Sequence, residues 1–278
     1  MTDHLAGKSI VITGAAGGFG SLVARKAAAR GAMVTLGDID LAAAEALAAE
    51  LGAAGGKAQA VRVDVTRLAE VKALVARAVD AFGRIDVMIN NAGIMPLAFI
   101  ADHEAAYGAW ERCIDINIKG VLNGMVAAHD PMIAQGRGQI VNLSSIYGNF
   151  PVTGAAVYGA SKAAVNFLSE SLRVEARGRI KVTTIKPTGV PSTGLSGTVI
   201  NPAAGVGIVA QNMPEFGAML AAMQDGSFPS ERLDPENIDY ASLAPEHIAD
   251  AIIHAIDQPW GVSISEITVR GAGDHFIL

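Results

Sequence analysis

The apolar positions of this chain fall into short uninterrupted runs separated by stretches with a helical period. Residues 9–13 (SIVIT) read as a strand, 14–20 (GAAGGFG) as a tight turn, and 21–30, rich in Ala and free of Pro, as a helix. The period changes across the glycines, as a strand–turn–helix unit requires. The unit then repeats, with strands predicted over 32–36 and 58–63 and helices over 41–51 and 68–82. Three further apolar runs, 85–89, 138–143 and 180–185, lead into Asn90 to Gly93, Ser144 and Ser145, and Pro187. Unbroken strands of this kind suit a parallel sheet covered by helices on both faces, and polar residues at strand ends mark the edge where such sheets bind ligands.

The rhythm lapses over about 188–243, where Pro191, Gly194, Gly197, Pro202, Gly205 and Gly207 punctuate a long connection. Met213, Phe216, Met219, Leu220 and Met223 recur there at helical spacing, the mark of a small helix packed on the body or of a lid whose apolar underside faces substrate. Regularity returns with a helix over 245–256 and a last strand over 264–269. With no linker and no repeat beyond the strand–helix unit, 1–278 reads as one α/β domain, a doubly wound parallel sheet.

Composition narrows the function. Hydrophobic residues are 51% and charged residues 17% of the 278, enough apolar material for a large core. The net charge of −6, without a basic block, excludes nucleic acid as an expected partner. Cys113 is the single cysteine and reads as a buried small hydrophobe. The opening MTDHLAGKS is too polar for a signal peptide, and no apolar run reaches 18 residues, so a soluble cytoplasmic protein without membrane attachment is expected. The six His form no H-E-x-x-H set, so no metal site is expected.

The turn Thr13, Gly14, Gly18, Phe19, Gly20 lies between a strand and a helix, where backbone amides and the positive helix end can face a pyrophosphate. About 20 residues on, the second strand ends in Asp38 and Ile39. A carboxylate there can accept the adenosine ribose hydroxyls and repels a 2'-phosphate, and no Arg or Lys stands at 37, 39 or 40 to offset it. NAD rather than NADP is the expected cofactor. Asp64 and Val65, after the third strand, either meet the adenine or form a solvated loop.

Tyr158 and Lys162, four apart in a helical pattern, share one helix face. Bringing a phenol from pH 10 to about 7 takes roughly 4 kcal/mol, which an ammonium and a cationic nicotinamide can supply together. With the glycine turn, Asn90 to Gly93, Asn117, Ser145 and Pro187 in this order along nearly the whole chain, the sequence resembles the classical short-chain dehydrogenases/reductases, which have a Rossmann-like fold.

The resemblance implies Tyr158 as general acid/base, Ser145 as the group polarising the substrate oxygen, and Lys162 as the residue that holds the nicotinamide ribose and lowers the Tyr158 pKa. Asn117 would position a water linking Lys162 to solvent, and Asn91, Ala92 and Gly93 would lie beside the cofactor. Pro187, Val190 and Thr193 would meet the carboxamide or a phosphate, although Thr188 stands where the family usually has glycine. It also implies a homodimer or homotetramer with the Tyr158 helix at an interface.

Met95, Pro96, Leu97, Tyr147, Phe150, Val152 and the run from Met213 to Met223 supply an apolar substrate side with few charges. Tyr147 and Asn149 either line it or pack as loop. The expected activity is NAD-dependent interconversion of a hydrophobic secondary alcohol and its ketone. The alternatives are a carbonyl reductase working mainly in the reductive direction and a non-catalytic dinucleotide-binding protein. The apolar end Phe276, Ile277, Leu278 is expected to pack against a neighbouring subunit.

Overall fold

The computed structural model describes residues 3–190 and 193–277. Its seven strands are β1 (Ser9–Thr13), β2 (Met33–Asp38), β3 (Lys57–Arg62), β4 (Val87–Asn90), β5 (Gly138–Leu143), β6 (Ile180–Pro187) and β7 (Glu266–Val269). The main helices are α1 (Gly18–Ala29), α2 (Leu41–Ala53), α3 (Leu68–Phe82), α4 (His103–Cys113), α5 (Val121–Ala134), α6 (Ala156–Glu175), α7 (Met213–Asp225) and α8 (Pro245–Ile256). All strands run parallel in the order β3-β2-β1-β4-β5-β6-β7. The order reverses between β1 and β4, and a crevice opens there beyond the strand ends, the usual ligand position in open sheets.

Burial explains the apolar runs. Every residue of β1, β4, β5 and β6 is buried, whereas the edge strands β3 and β7 are half-exposed. Ile10 and Ile12 of β1 point into one core with α1 and α8, while Val11 points into the other with α3, α5 and α6, as the period of two dictates. A polar seam crosses this interior: Asn90 donates to Asn142 and Asn142 to Ser169, each at 2.8 Å, and Ser169 donates to the Val165 carbonyl at 2.7 Å. It ties β4 and β5 to α6, the helix that carries Tyr158 and Lys162.

A π-helical stretch, Ile114–Gly120, joins α4 to α5 and carries Asn117. Between β6 and α8 the chain makes short 3-10 turns around α7, which confirms a helix over the Met-rich run. Pro191 and Leu278 lie outside the described residues. No helix among the described residues is long and apolar enough to cross a membrane.

The C-terminal tail finds cover within its own chain. Phe276 and Ile277 pack on their own chain: the Phe276 ring centroid lies 5.9 Å from that of Phe216, and the Ile277 amide donates to the Ile208 carbonyl at 2.8 Å. Within one chain these residues are half-buried against the connection after β6.

Candidate active site

The glycine turn is bound to the end of β4. Thr13 Oγ1 donates to the Ile89 carbonyl and accepts from the amides of Asn91 at 3.1 Å and Ala92 at 3.3 Å. Asn91 Nδ2 returns hydrogen bonds to the carbonyls of Thr13 and Gly14 at 3.0 and 2.8 Å. Gly14 and Gly18 have φ of 62° and 49°, the left-handed region that favours glycine. A Cβ at Gly20 would overlap the Gly14 carbonyl oxygen, so α1 can start this close to the strand only with glycine there. The first turn of α1 carries no acidic residue, which leaves its positive end for an anion. This cradle fits a dinucleotide pyrophosphate.

One cavity of about 870 Å³ runs from Gly14, Gly18 and Phe19 past Asn91, Ala92 and Gly93 to Ser145, Tyr158 and Lys162. It continues along Pro187, Val190 and Thr193 to Met95, Tyr147 and Met213. The remaining expected site residues stand outside its wall. Thr13 and Gly20 brace the turn from behind, and Asp38, Ile39, Asp64 and Val65 lie at or after the ends of β2 and β3. Asp64 accepts from the Thr66 hydroxyl at 2.7 Å, a bond that holds its carboxyl below the usual range. Of the apolar substrate candidates, Met95, Leu97 and the α7 residues reach the cavity, whereas Pro96, Phe150 and Val152 do not.

Ser145 follows β5, and Tyr158 and Lys162 stand one turn apart on the buried face of α6, at 7, 3 and 6% exposure. Lys162 Nζ donates to the Leu143 carbonyl at 2.8 Å and lies 5.7 Å from the Tyr158 ring centroid. Burial dominates both titrations. It raises the Tyr158 phenol, opposed by a hydrogen bond with Ser145, and brings the Lys162 ammonium down to about 8. The protein's own groups therefore hold Tyr158 protonated. The Tyr147 ring meets Tyr158 edge-on at 5.3 Å, and burial raises its phenol as well. Ser144 hydrogen-bonds the Lys162 carbonyl at 3.1 Å, an ordinary backbone role.

Asn117 is fully buried behind this group. Its Oδ1 accepts from the Ile94 amide at 3.0 Å, and its Nδ2 donates to the Ile94 carbonyl at 2.9 Å and to Ser161 Oγ at 3.1 Å. Gly93 sits between it and the lysine: a Cβ there would stand 3.3 Å from Asn117 Oδ1 and 3.7 Å from Lys162 Nζ. Cys113 is buried beside Ser161, and burial raises its thiol, as the reading of a packing residue requires.

Residues 8–202 match the family model described as short chain dehydrogenase. The chain belongs to the short-chain dehydrogenase family. As a member it is an NAD(P)-dependent oxidoreductase. It is similar to the 2,5-dichloro-2,5-cyclohexadiene-1,4-diol dehydrogenase LinX of Sphingobium indicum, 38% identical over 68% of this chain and 76% of that one. An uncharacterized oxidoreductase of Listeria monocytogenes is 35% identical over 94% and 95% of the two chains. Glycine betaine reductase ATRR of Emericella nidulans is 33% identical over 96% of this chain, which spans only 19% of that protein's length.

Solved structures share the fold over nearly the whole chain. A metagenomic short-chain oxidoreductase in complex with NADP is 28% identical with a TM-score of 0.72, covering 96% of this chain and 98% of that one. The closed form of serine dehydrogenase complexed with NADP+ is 26% identical with a TM-score of 0.74, covering 94% of each chain. An alcohol dehydrogenase from Thermococcus sibiricus complexed with 5-hydroxy-NADP, 22% identical with a TM-score of 0.76 over 96% and 97% of the chains, shares the fold.

These neighbours hold NADP or a derivative of it, which overturns the expectation of NAD drawn from Asp38. The structure supplies a physical reason. Both Asp38 carboxylate oxygens are engaged within the turn, accepting from the amides of Ala16 at 2.8 Å and Asp40 at 3.0 Å. Arg62, paired with Glu70 at 3.5 Å, stands opposite Asp38 in the β2–β3 register, a cation that residues 37–40 do not supply. Inter-strand register is not readable from neighbouring residues in sequence.

Proposed function

We propose that this short-chain dehydrogenase interconverts a hydrophobic secondary alcohol and its ketone, with NADP as the first cofactor to test. One observation carries the reading: Ser145, Tyr158 and Lys162 face a single cavity whose nucleotide end is a glycine cradle and whose other end is walled by Met95, Leu97, Met213, Phe216 and Met219. Apolar walls with few charges select a substrate of the same character. The amides of Gly14 to Phe19 would hold the pyrophosphate, Asn91 to Gly93 the ribose side, and Pro187, Val190 and Thr193 the nicotinamide end. Asp64 and Val65 would meet the adenine.

The bound nicotinamide ring supplies the hydride acceptor or donor and, when oxidised, a positive charge. In alcohol oxidation Ser145 Oγ hydrogen-bonds the substrate oxygen while Tyr158 Oη, as phenolate, takes the hydroxyl proton. Ketone reduction runs the same path backwards, the phenol donating its proton to the forming alkoxide. Positive charge favours the phenolate against the burial that holds Tyr158 neutral. Lys162 contributes one such charge, its ammonium held by the Leu143 carbonyl. Asn117 keeps the segment after β4 and the α6 face in register through Ile94 and Ser161.

The residues 188–243 act in this reading as the substrate-binding lid. Exposed Phe167 and Val174 on the outer side of α6 support that helix as a subunit interface in a homo-oligomer.

The test is near-ultraviolet absorbance with NADP and NAD against aliphatic, aromatic and polycyclic secondary alcohols, and with the reduced cofactors against the ketones. Turnover should fall about 10²–10⁴-fold in Tyr158→Phe with the melting temperature preserved. Full turnover in Tyr158→Phe would refute the assigned acid/base. Cofactor binding without turnover on any substrate would instead favour a binding protein.

A further inference from the structure

Residues 274–276 are built into the substrate side of the cavity. Asp274, with its side chain 2% exposed, accepts from Thr188 Oγ1 at 3.1 Å and from the Phe276 amide at 3.2 Å, and forms an ion pair with Arg270. Arg270 also donates to the Phe276 carbonyl at 2.8 Å. Asn212, just before α7, donates to the His275 carbonyl at 2.9 Å. A buried carboxylate persists only when its lone pairs are satisfied, so this small network fixes one conformation of the tail. Thr188, the departure from the family's glycine, supplies one of its bonds.

The network brings the tail to the cavity wall, beside Thr188. The Phe276 ring lines the cavity, tilted against Phe216 of α7. Gly189 also meets the ring, and a Cβ there would overlap it. The glycine displaced by one position from the family's pattern thus makes room for Phe276. The ring lies between the segment after β6, which faces the nicotinamide end, and the helix that walls the substrate end.

We propose that Phe276 is a specificity-determining residue that limits substrate bulk, held in place by Asp274 and Thr188. This deepens the proposed oxidoreductase function and rests on it. Ketone size is then read by a residue outside the long connection to which substrate recognition is otherwise assigned. The Gly189–Phe276 contact makes a reciprocal prediction: an added methyl at 189 displaces the ring and acts through it.

The experiment compares wild type, Phe276→Ala, Phe276→Trp, Gly189→Ala and the double variant Gly189→Ala/Phe276→Ala on a ketone series running from acetone-sized to polycyclic. The ratio of kcat/KM for bulky over small ketones should rise about tenfold or more in Phe276→Ala and fall in Phe276→Trp, since pocket contacts of this size discriminate by about 10–200-fold. Gly189→Ala should change the ratio in wild type and leave it unchanged in the Phe276→Ala background. A ratio indifferent to all three side chains at 276 overturns the proposal while wild-type turnover upholds the function. If wild type turns over no ketone, binding of 8-anilinonaphthalene-1-sulfonate decides the pocket separately. Tighter dye binding in Phe276→Ala and weaker binding in Phe276→Trp would support the wall, and equal binding would overturn it.

Discussion

Replacing Lys162 with methionine should stabilise the protein at neutral pH while removing its activity. The side chain is 6% exposed, and burial lowers its ammonium from the ordinary 10.5 to about 8. That gap corresponds to about 3 kcal/mol of destabilisation whenever the folded chain carries the charge. Methionine has similar length and no charge, but it leaves the Leu143 carbonyl without its 2.8 Å partner, a loss of about 1 kcal/mol. The net gain is about 2 kcal/mol, or about 3 °C in Tm for a chain of this size.

The sign of the pH dependence follows from proton binding. Below pH 8 both folded and unfolded wild type hold the lysine proton, and the whole cost of the buried charge is present. Between 8 and 10.5 the folded state has released the proton while the unfolded state retains it, so wild-type stability rises with pH. The advantage of Lys162→Met is therefore full at pH 7 and shrinks toward pH 10. Urea denaturation of both proteins at the two pH values measures it, because all other titrating groups, Lys181 among them, are shared. A variant less stable than wild type at pH 7, or an equal difference at both pH values, would refute the reasoning.

Two further outcomes test the nucleotide side. Arg62→Ala should raise KM for NADP about 2–5-fold and leave KM for NAD nearly unchanged, the size expected of one exposed charge; equal effects on both cofactors would detach Arg62 from the 2'-phosphate. Gly20→Ala forces α1 away from the Gly14 carbonyl and should lower stability by about 1–3 kcal/mol while weakening NADPH binding in a fluorescence titration. Unchanged melting and affinity would show that the turn has room for a Cβ.

Local pattern was enough wherever the physics is local. The strand Ser9–Thr13 and the helices Leu68–Phe82 and Pro245–Ile256 form where period and composition place them, because a buried strand and an amphipathic helix each write their geometry into a few residues. Tyr158 and Lys162 were legible for the same reason: four residues on a helix put two side chains on one face. The Met-rich run folds as α7, with Met219 buried and Met213, Leu220 and Met223 each more than a third exposed. Its period marked the helix and did not tell how deeply each side chain would sink.

Interactions between elements were decided by the tertiary structure. Sequence neighbours of Asp38 show no cation, yet strand register places Arg62 opposite it, and the Asp38 carboxylate accepts from the Ala16 and Asp40 amides. Asn117 shows its role only once the π-helical stretch delivers it to Ile94 and Ser161. Phe276 reads as a loose apolar end until Asp274 and Thr188 bind the tail across the cavity. Local sequence thus determined the layered sheet and the residues available for chemistry, because periodicity is a property of one segment. Cofactor electrostatics and the substrate wall required the folded chain, because they depend on distances between segments that no single segment encodes.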